Sequence, residues 1–186
     1  METAALQGGF SDTARQSAEG FRACLQAMAR PGTIHRIAGA TPPAPLSPAA
    51  AVALLVLADA TTPVHLAGAH DVPLLRDWIT FHTGAPLVEA GDAVFALGAW
   101  QALEPGAYAI GTAEYPDRSA TLIVEMAALR PEGARLSGPG IRDRAALNLP
   151  EVAAFQRNAA LFPLGLDFIF TCGDRLAALP RTTRVS

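Results

Sequence analysis

Apolar side chains recur at helical spacing near the start of the chain, at Ala14, Ala18, Phe21, Leu25 and Met28. This spacing predicts an amphipathic helix with these side chains against the core, and Ser11 or Asp12 can cap its first turn. Pro31 and Gly32 end the helix, because proline disfavours helical geometry in the residue before it and glycine permits the turn that follows. The segment "TIHRI" then alternates as a short strand does.

A second helix is predicted from Ser47, with Pro48 in its first turn. It is apolar on every side through Leu57, which is typical of a helix covered by other elements, so Leu55 is expected in the core. The segment "PVHLAG" follows as a buried strand. A third helix is predicted with Asp71 as its cap and Gly84 at its end.

The rest of the chain continues the mixture of strands and helices. Strands are predicted at "AVFALGAW", "ATLIVEMAAL" and "ARLSG", a helix runs up to Pro163, and "DFIFTCGDRLAAL" forms two strands joined at "CGDR", with Phe168 in the core. This order predicts a single α/β domain over residues 1–186. Its mixed sheet is parallel in the middle, ends in a C-terminal hairpin and is flanked by helices.

Composition narrows the class of protein. The chain has 186 residues, 51% of them hydrophobic, and a formal net charge of -3. A chain of this length buries roughly 70% of its surface as one domain. A negative net charge does not favour binding to nucleic acid or to an anionic membrane, so neither is expected as a partner.

The remaining features of composition predict a cytoplasmic protein. No segment has the length or apolar character of a membrane span or a signal peptide, and the most hydrophobic run stops at Asp59. Cys24 and Cys172 lie far apart in apolar settings, as packed, reduced thiols do.

Familiar catalytic motifs are missing from the sequence. None of the four histidines has a second histidine or a cysteine at zinc-site spacing, so no metal is expected. His65 lies in a predicted strand, where a hydrogen-bonded core or rim position is favoured over a role as base or ligand. No serine lies in a G-x-S-x-G motif, and no catalytic residue is therefore predicted.

Three segments carry candidate contacts for a partner or an anion. In "LSGPGIRDRA", backbone amides of the turn could bind an anion beside Arg142, although an ordinary turn is favoured. "MARPG" presents Arg30 at a helix end, where it could instead satisfy the last carbonyls. "PRTTRV" presents Arg181, Thr182 and Arg184, whose alternative role is to keep an edge strand soluble.

A family resemblance joins these segments. "GFSDTARQSAEGFRACLQAMARPGTI", "LADATTPVHL", "FHTGAPLV", "LSGPGI" and "FPLGLDFIFTCGDRLAALPRTTRV" together resemble the H subunit of the bacterial carbon-phosphorus lyase core complex, the PhnH family. The similarity runs nearly end to end. The closing run through "PRTTRV" is its most specific part, whereas "FHTGAPLV" alone would be weak.

The resemblance implies a homodimeric, cytoplasmic protein of phosphonate catabolism that assembles with the G, I and J subunits. Such complexes form alpha-D-ribose 1-methylphosphonate 5-triphosphate from MgATP and an alkylphosphonate, with this subunit expected to have no chemistry of its own. The implied fold is that of the large domain of pyridoxal-phosphate-dependent transferases. No cofactor is expected, because the sequence offers no lysine for a Schiff base.

Two alternatives stay open from the sequence. Arginines of the chain could complete a shared site for phosphate or phosphonate groups. The chain could also be a free-standing small-molecule binder with a vestigial transferase pocket.

Overall fold

The structure, a computed structural model that describes residues 3–186, contains four α-helices and nine strands in that range. The helices are α1 (Thr13–Ala29), α2 (Pro48–Leu57), α3 (Pro73–Thr83) and α4 (Val152–Ala159). The strands are β1 (His35–Arg36), β2 (Val64–Leu66), β3 (Phe95–Ala99), β4 (Thr121–Glu125), β5 (Ala134–Ser137), β6 (Ala145–Leu147), β7 (Asp167–Cys172), β8 (Arg175–Leu179) and β9 (Arg184–Val185).

Six strands form one mixed sheet in the order β1-β8-β7-β4-β3-β2. Four neighbouring strands of this sheet, β2, β3, β4 and β7, are parallel. Strand β8 runs antiparallel to β7 and is the second strand of a C-terminal hairpin. This mixed, centrally parallel sheet and its terminal hairpin confirm the predicted α/β class.

Helices and a smaller sheet cover the two faces of the main sheet. One apolar cluster holds residues of α1, α2 and α3 with one face, including Leu97, Ile123 and Ile169. The other holds Phe155 of α4 and the strands β5 and β6 with the opposite face, including Phe168 and Phe170. The main sheet is therefore buried on both sides, as parallel sheets generally are.

Helix α1 has the predicted bounds, but it buries a neighbouring face rather than the predicted one. Asp12 caps it by accepting a hydrogen bond from the backbone N–H of Arg15 at 3.3 Å. Its buried residues are Gly20, Cys24 and Ala27, and a Cβ atom at Gly20 would lie 2.7 Å from a methyl carbon of Val52. The predicted stripe is exposed along most of its length, at Ala14, Ala18, Phe21 and Leu25. The face with small residues is the buried one because it lets α1 approach α2 closely.

Helix α2 confirms most of its prediction. Ser47 caps it through a 3.1 Å hydrogen bond from the Ala50 N–H to the serine hydroxyl, and Ala49 to Leu54 are all buried. Leu55 is only half-buried, so the prediction that places it in the core is too strong. Its neighbour Leu54 is buried instead. The predicted core position of Phe168, in β7, is confirmed.

The ends of α3 and α4 differ from the sequence expectation. Val72, with extended backbone, precedes α3 in the capping position, and Asp71 instead pairs with Arg76 of the same helix. Gly84 ends α3 in the left-handed conformation, as predicted. Helix α4 ends at Ala159, before the predicted stop at Pro163, and the chain continues in turns.

A second, three-stranded sheet in the order β6-β5-β9 is absent from the sequence prediction. Strand β9 pairs antiparallel with β5 and consists of the last regular residues of the chain. Two or three residues carry too little periodicity to predict a strand, so long-range pairing decides this element. No helix in the described range is long and apolar enough to cross a membrane.

Candidate functional site

The three segments singled out in the sequence meet at one place. A Cβ atom added at Gly140 would lie 2.0 Å from the carbonyl oxygen of Ala29, and one at Gly138 would lie 3.0 Å from that of Thr182. Both glycines have positive φ, at +80° and +130° respectively. The turn after β5 is therefore wedged between the end of α1 and the C-terminal segment, and only glycine permits that approach.

The end of α1 is fixed by a compact turn. Arg30 is its C-cap, and the Thr33 hydroxyl donates to the Arg30 carbonyl oxygen at 2.7 Å. Gly32 lies against β5 and β6, since an added Cβ would meet the Ala145 Cβ at 2.8 Å. Arg30 is exposed, and no hydrogen bond of its side chain occurs among the described residues.

The C-terminal segment contributes by strand pairing. Arg184 lies opposite Ser137, and Val185 lies opposite Leu136. Side chains alternate along a strand, so Val185 faces the core while Arg184 is exposed beside Ser137. Thr182 is half-buried, and Thr183 is buried with a hydroxyl that finds no partner among residues 3–186.

These segments carry a set of exposed arginines that we term the arginine face. It comprises five exposed arginines carried by the end of α1, by β5, by the turn and loop after it, and by β9: Arg30, Arg135, Arg142, Arg144 and Arg184. None belongs to the seven ion pairs found in the described range. Asp143 is the single acidic side chain between residues 135 and 144, so this segment is basic although the chain is acidic overall.

Arg181 has a different environment from the arginine face. Its side chain is 13% exposed and forms a two-pronged ion pair with Asp167 at the start of β7. It also donates to the Pro116 carbonyl oxygen and the Ser119 hydroxyl. Four of its five N–H groups are thereby used inside the chain. An outside contact for Arg181 stays a prediction, and its geometry favours a role in holding the 116–119 loop to β7.

A polar row, which the sequence analysis missed, lies at the carboxyl ends of the parallel strands. Glu125, the last residue of β4, accepts hydrogen bonds from the Ser47 N–H at 2.7 Å and the Thr171 hydroxyl at 3.0 Å. His70 follows β2 and is 5% exposed, and neither ring nitrogen has a partner among the described residues. Burial lowers the pKa of His70, and the negative charge of Glu125 opposes that shift. Strand register could have paired Glu125 with Thr171, but only the fold brings in Ser47.

The other candidate groups have structural surroundings. His65 is a half-buried rim histidine whose Nδ1 lies 3.0 Å from the Val88 carbonyl oxygen, and the hydrogen-bonded position was the favoured prediction. Cys24 and Cys172 are both free thiols. Burial raises the pKa of Cys24 to about 12, so it is not a nucleophile near neutral pH. Within residues 3–186, no three His, Cys, Asp or Glu side chains are placed to hold a metal ion.

Fold and surface together define an α/β domain with five exposed arginines that form no ion pair among the described residues. The chain belongs to the PhnH family: the family model described as bacterial phosphonate metabolism protein (PhnH) matches residues 8–186.

Two curated proteins are similar over most of their length. One is the alpha-D-ribose 1-methylphosphonate 5-triphosphate synthase subunit PhnH of Rhizobium meliloti (strain 1021), 40% identical over 190 residues that cover 96% of this chain and 94% of that protein. The other is the putative C-P lyase subunit protein HtxG of Stutzerimonas stutzeri, 29% identical over 177 residues that cover 89% of this chain and 84% of that protein.

Proposed function

We propose that this chain is a subunit of the carbon-phosphorus lyase core complex and supports formation of alpha-D-ribose 1-methylphosphonate 5-triphosphate from MgATP and an alkylphosphonate. The observation that carries the proposal is the 40% identity, over 94% of its length, to a subunit of the synthase named for that product. The surroundings of His65, Cys24 and Cys172 supply no activated nucleophile. We infer that the chain acts in the cytoplasm and through partners rather than as a catalyst alone.

The arginine face is the proposed docking surface for the G, I and J subunits. Exposed guanidinium groups without acidic partners favour a surface that offers carboxylates, because forked donors bind carboxylate in two-pronged geometry. Because the chain is acidic overall, these five arginines would fix where an acidic partner binds and in which orientation. Charge complementarity of this kind sets the specificity and the rate of association.

The test reverses two charges whose side chains form no hydrogen bond or ion pair within residues 3–186. Arg30→Glu with Arg184→Glu leaves the fold intact and abolishes co-purification with the I subunit, because like charges then meet at the interface. Arg118→Glu is the matched control, since Arg118 is exposed, lies outside the arginine face and stacks on Tyr115. Wild-type assembly and growth on phosphonate by the double variant would contradict the proposal.

The same variant separates docking from the second candidate role, in which the arginines bind phosphate groups in a shared active site. That role predicts a double variant that assembles normally and yet fails to support synthesis. The exposed guanidinium groups near the 138–142 turn favour it, because arginine also binds phosphate in forked geometry.

The outward stripe of α1 is the proposed homodimer surface. Phe21 and Leu25 are 50% and 56% exposed, and Ala14 and Ala18 complete the stripe at intervals of four, three and four residues. In an antiparallel pair around a two-fold axis, Phe21 of one copy lies opposite Ala18 of the other, and Leu25 lies opposite Ala14. Large side chains therefore face small ones across the whole contact.

Sedimentation of Phe21→Glu tests that surface. The variant is expected to be a folded monomer, whereas Phe81→Glu, which replaces an equally exposed phenylalanine on α3, stays dimeric. A dimeric Phe21→Glu protein would move the dimer contact away from α1.

The fold is proposed to be a relative of the large domain of pyridoxal-phosphate-dependent transferases that works without the cofactor. All fourteen basic residues are arginine, so the residues present do not fit an internal Schiff base. The expected result of incubation with pyridoxal phosphate and borohydride is no covalent adduct. A trapped adduct on this chain would overturn the proposal.

A further inference from the structure

A cleft of about 530 Å³ lies between the loop after β3 and helix α4, and none of the arginine face residues lines it. Its lining comes from residues 100–110, from α4 and from the turn that follows α4. Small-molecule sites typically enclose about 300 to 1,000 Å³ and combine apolar walls with a few polar groups. The cleft matches that size, and its lining has both kinds of group.

Aromatic rings form the apolar walls. Trp100 is half-buried, and its inner side packs on Phe155 with ring centres 4.9 Å apart and planes tilted by 31°. Tyr108 is 6% exposed and also lines the cleft, with Ile110 and Leu166. Packing from behind holds the Trp100 ring in place, so the rigid wall favours a flat ligand.

Polar groups of the cleft point to ring nitrogens on the ligand. The Tyr108 hydroxyl makes no hydrogen bond within residues 3–186 although the residue is more than nine-tenths buried. Glu151 accepts from the Trp100 indole N–H at 3.3 Å and from Arg157 at 3.1 Å. A carboxylate has about four acceptor positions, so two remain for ligand N–H groups.

We propose that this cleft binds a planar nitrogen heterocycle that carries N–H donors, with a purine base as the representative ligand. The ring stacks along Trp100, its N–H groups donate to Glu151, and a ring nitrogen accepts from the Tyr108 hydroxyl. An apolar side chain of a partner protein is the competing occupant. It fits the walls but would cover Glu151, Arg157 and the Tyr108 hydroxyl without bonding them, which is unfavourable. The site goes beyond the proposed function and does not depend on it.

Tryptophan fluorescence of the isolated chain tests the proposal, because the sequence contains two tryptophans. Trp78 is 0% exposed in the other apolar cluster, so a ligand in the cleft changes the emission of Trp100. Adenine is expected to give a saturable change. 6-Dimethylaminopurine keeps the ring but lacks the amino N–H groups, and it is expected to bind about tenfold more weakly, as the loss of a charge-assisted hydrogen bond predicts.

Glu151→Gln and Tyr108→Phe locate the site. Glu151 lies at the exposed start of α4, where its side chain makes no capping bond, so a glutamine there leaves the helix in place. Glu151→Gln is expected to weaken adenine about tenfold and to remove the difference between the two purines. Tyr108→Phe weakens both purines. Phe162→Ala, which changes a 60% exposed residue that follows the lining residue Leu161 in the chain, leaves both affinities unchanged.

Three results would overturn the proposal. Adenine at millimolar concentration could leave the emission unchanged while melting curves show the protein folded. The two purines could bind wild type equally, which would mean that the Glu151 carboxylate accepts no hydrogen bond from the amino group of the ligand. Glu151→Gln could also retain the preference for adenine, which would place the binding elsewhere.

Discussion

The two arginines of the closing "PRTTRV" segment occupy opposite environments three residues apart. Arg181 is held inside by Asp167, Pro116 and Ser119, whereas Arg184 is exposed and belongs to the arginine face. The same contrast recurs for phenylalanine, glycine and cysteine. A residue type therefore says little about its role here until its environment is known, and pairs of like residues make the contrast measurable.

The largest effect is expected at the paired arginines. Arg181→Ala leaves Asp167 as a nearly buried, uncompensated charge, with 16% of its side chain exposed, and should lower the free energy of unfolding by about 3–5 kcal/mol. Arg184→Ala should change it by less than about 0.5 kcal/mol. Urea denaturation of both variants checks the difference. Equal stabilities would mean that the Asp167 pair contributes nothing.

The two phenylalanines should differ nearly as much. Phe168 is 1% exposed among Trp100, Phe155 and Phe170, and its truncation to alanine should cost about 3–5 kcal/mol because it leaves a cavity. Phe162→Ala removes a ring that is 60% exposed and should be nearly neutral. Thermal melting measures both, and a wild-type melting temperature for Phe168→Ala would place the core elsewhere.

Substitution by alanine should destabilise the protein at one glycine and not at another, with a smaller difference in the free energy of unfolding than for the two phenylalanines. Gly140→Ala forces a Cβ towards the Ala29 carbonyl oxygen in a residue with φ +80°, which should cost about 1–3 kcal/mol. Gly106→Ala is the control, because nothing lies within 4 Å of its added Cβ. If Gly140→Ala were as stable as wild type, the turn would not be wedged against α1.

The two cysteines should differ in reactivity rather than in stability. Burial raises the pKa of Cys24 to about 12, so this thiol stays protonated and shielded at pH 8, whereas Cys172 is half-buried. A thiol reagent should modify one cysteine in the native protein and both after unfolding. Cys172→Ser should show no native reaction, and rapid labelling of Cys24 would contradict its burial.

Cys24 also gives the stability a pH dependence with a definite sign. Because its pKa is higher in the folded than in the unfolded chain, its contribution is fully present below the unfolded value of about 9 and is lost as the pH rises towards about 12. Cys24→Ala should remove that part of the alkaline destabilisation.

Local signals explain which parts of the fold were predictable. Asp12, Ser47 and Gly84 mark helix ends through bonds and backbone angles that involve near neighbours. The last two were predicted at those ends, and Asp12 was one of two predicted caps, the other being Ser11. The β7–β8 hairpin follows in the same way from a turn between two apolar runs. The prediction that Asp71 caps α3 was wrong. An aspartate before a helix can either cap it or pair with a basic side chain of the helix, and the sequence pattern is the same in both cases.

The sequence by itself determined where most helices and strands lie, because periodicity acts over a few residues. It also marked Arg30, Arg142 and Arg184 as candidate contacts, because each lies beside a turn or at the end of a predicted element. The tertiary structure alone decided which face of α1 is buried, that β9 joins a second sheet, and that Arg181 turns inward. These outcomes depend on contacts between distant parts of the chain: Arg181 bonds to residues 62 and 65 positions away. The packed structure depends on all such contacts in the molecule at once, and a local sequence pattern does not contain them.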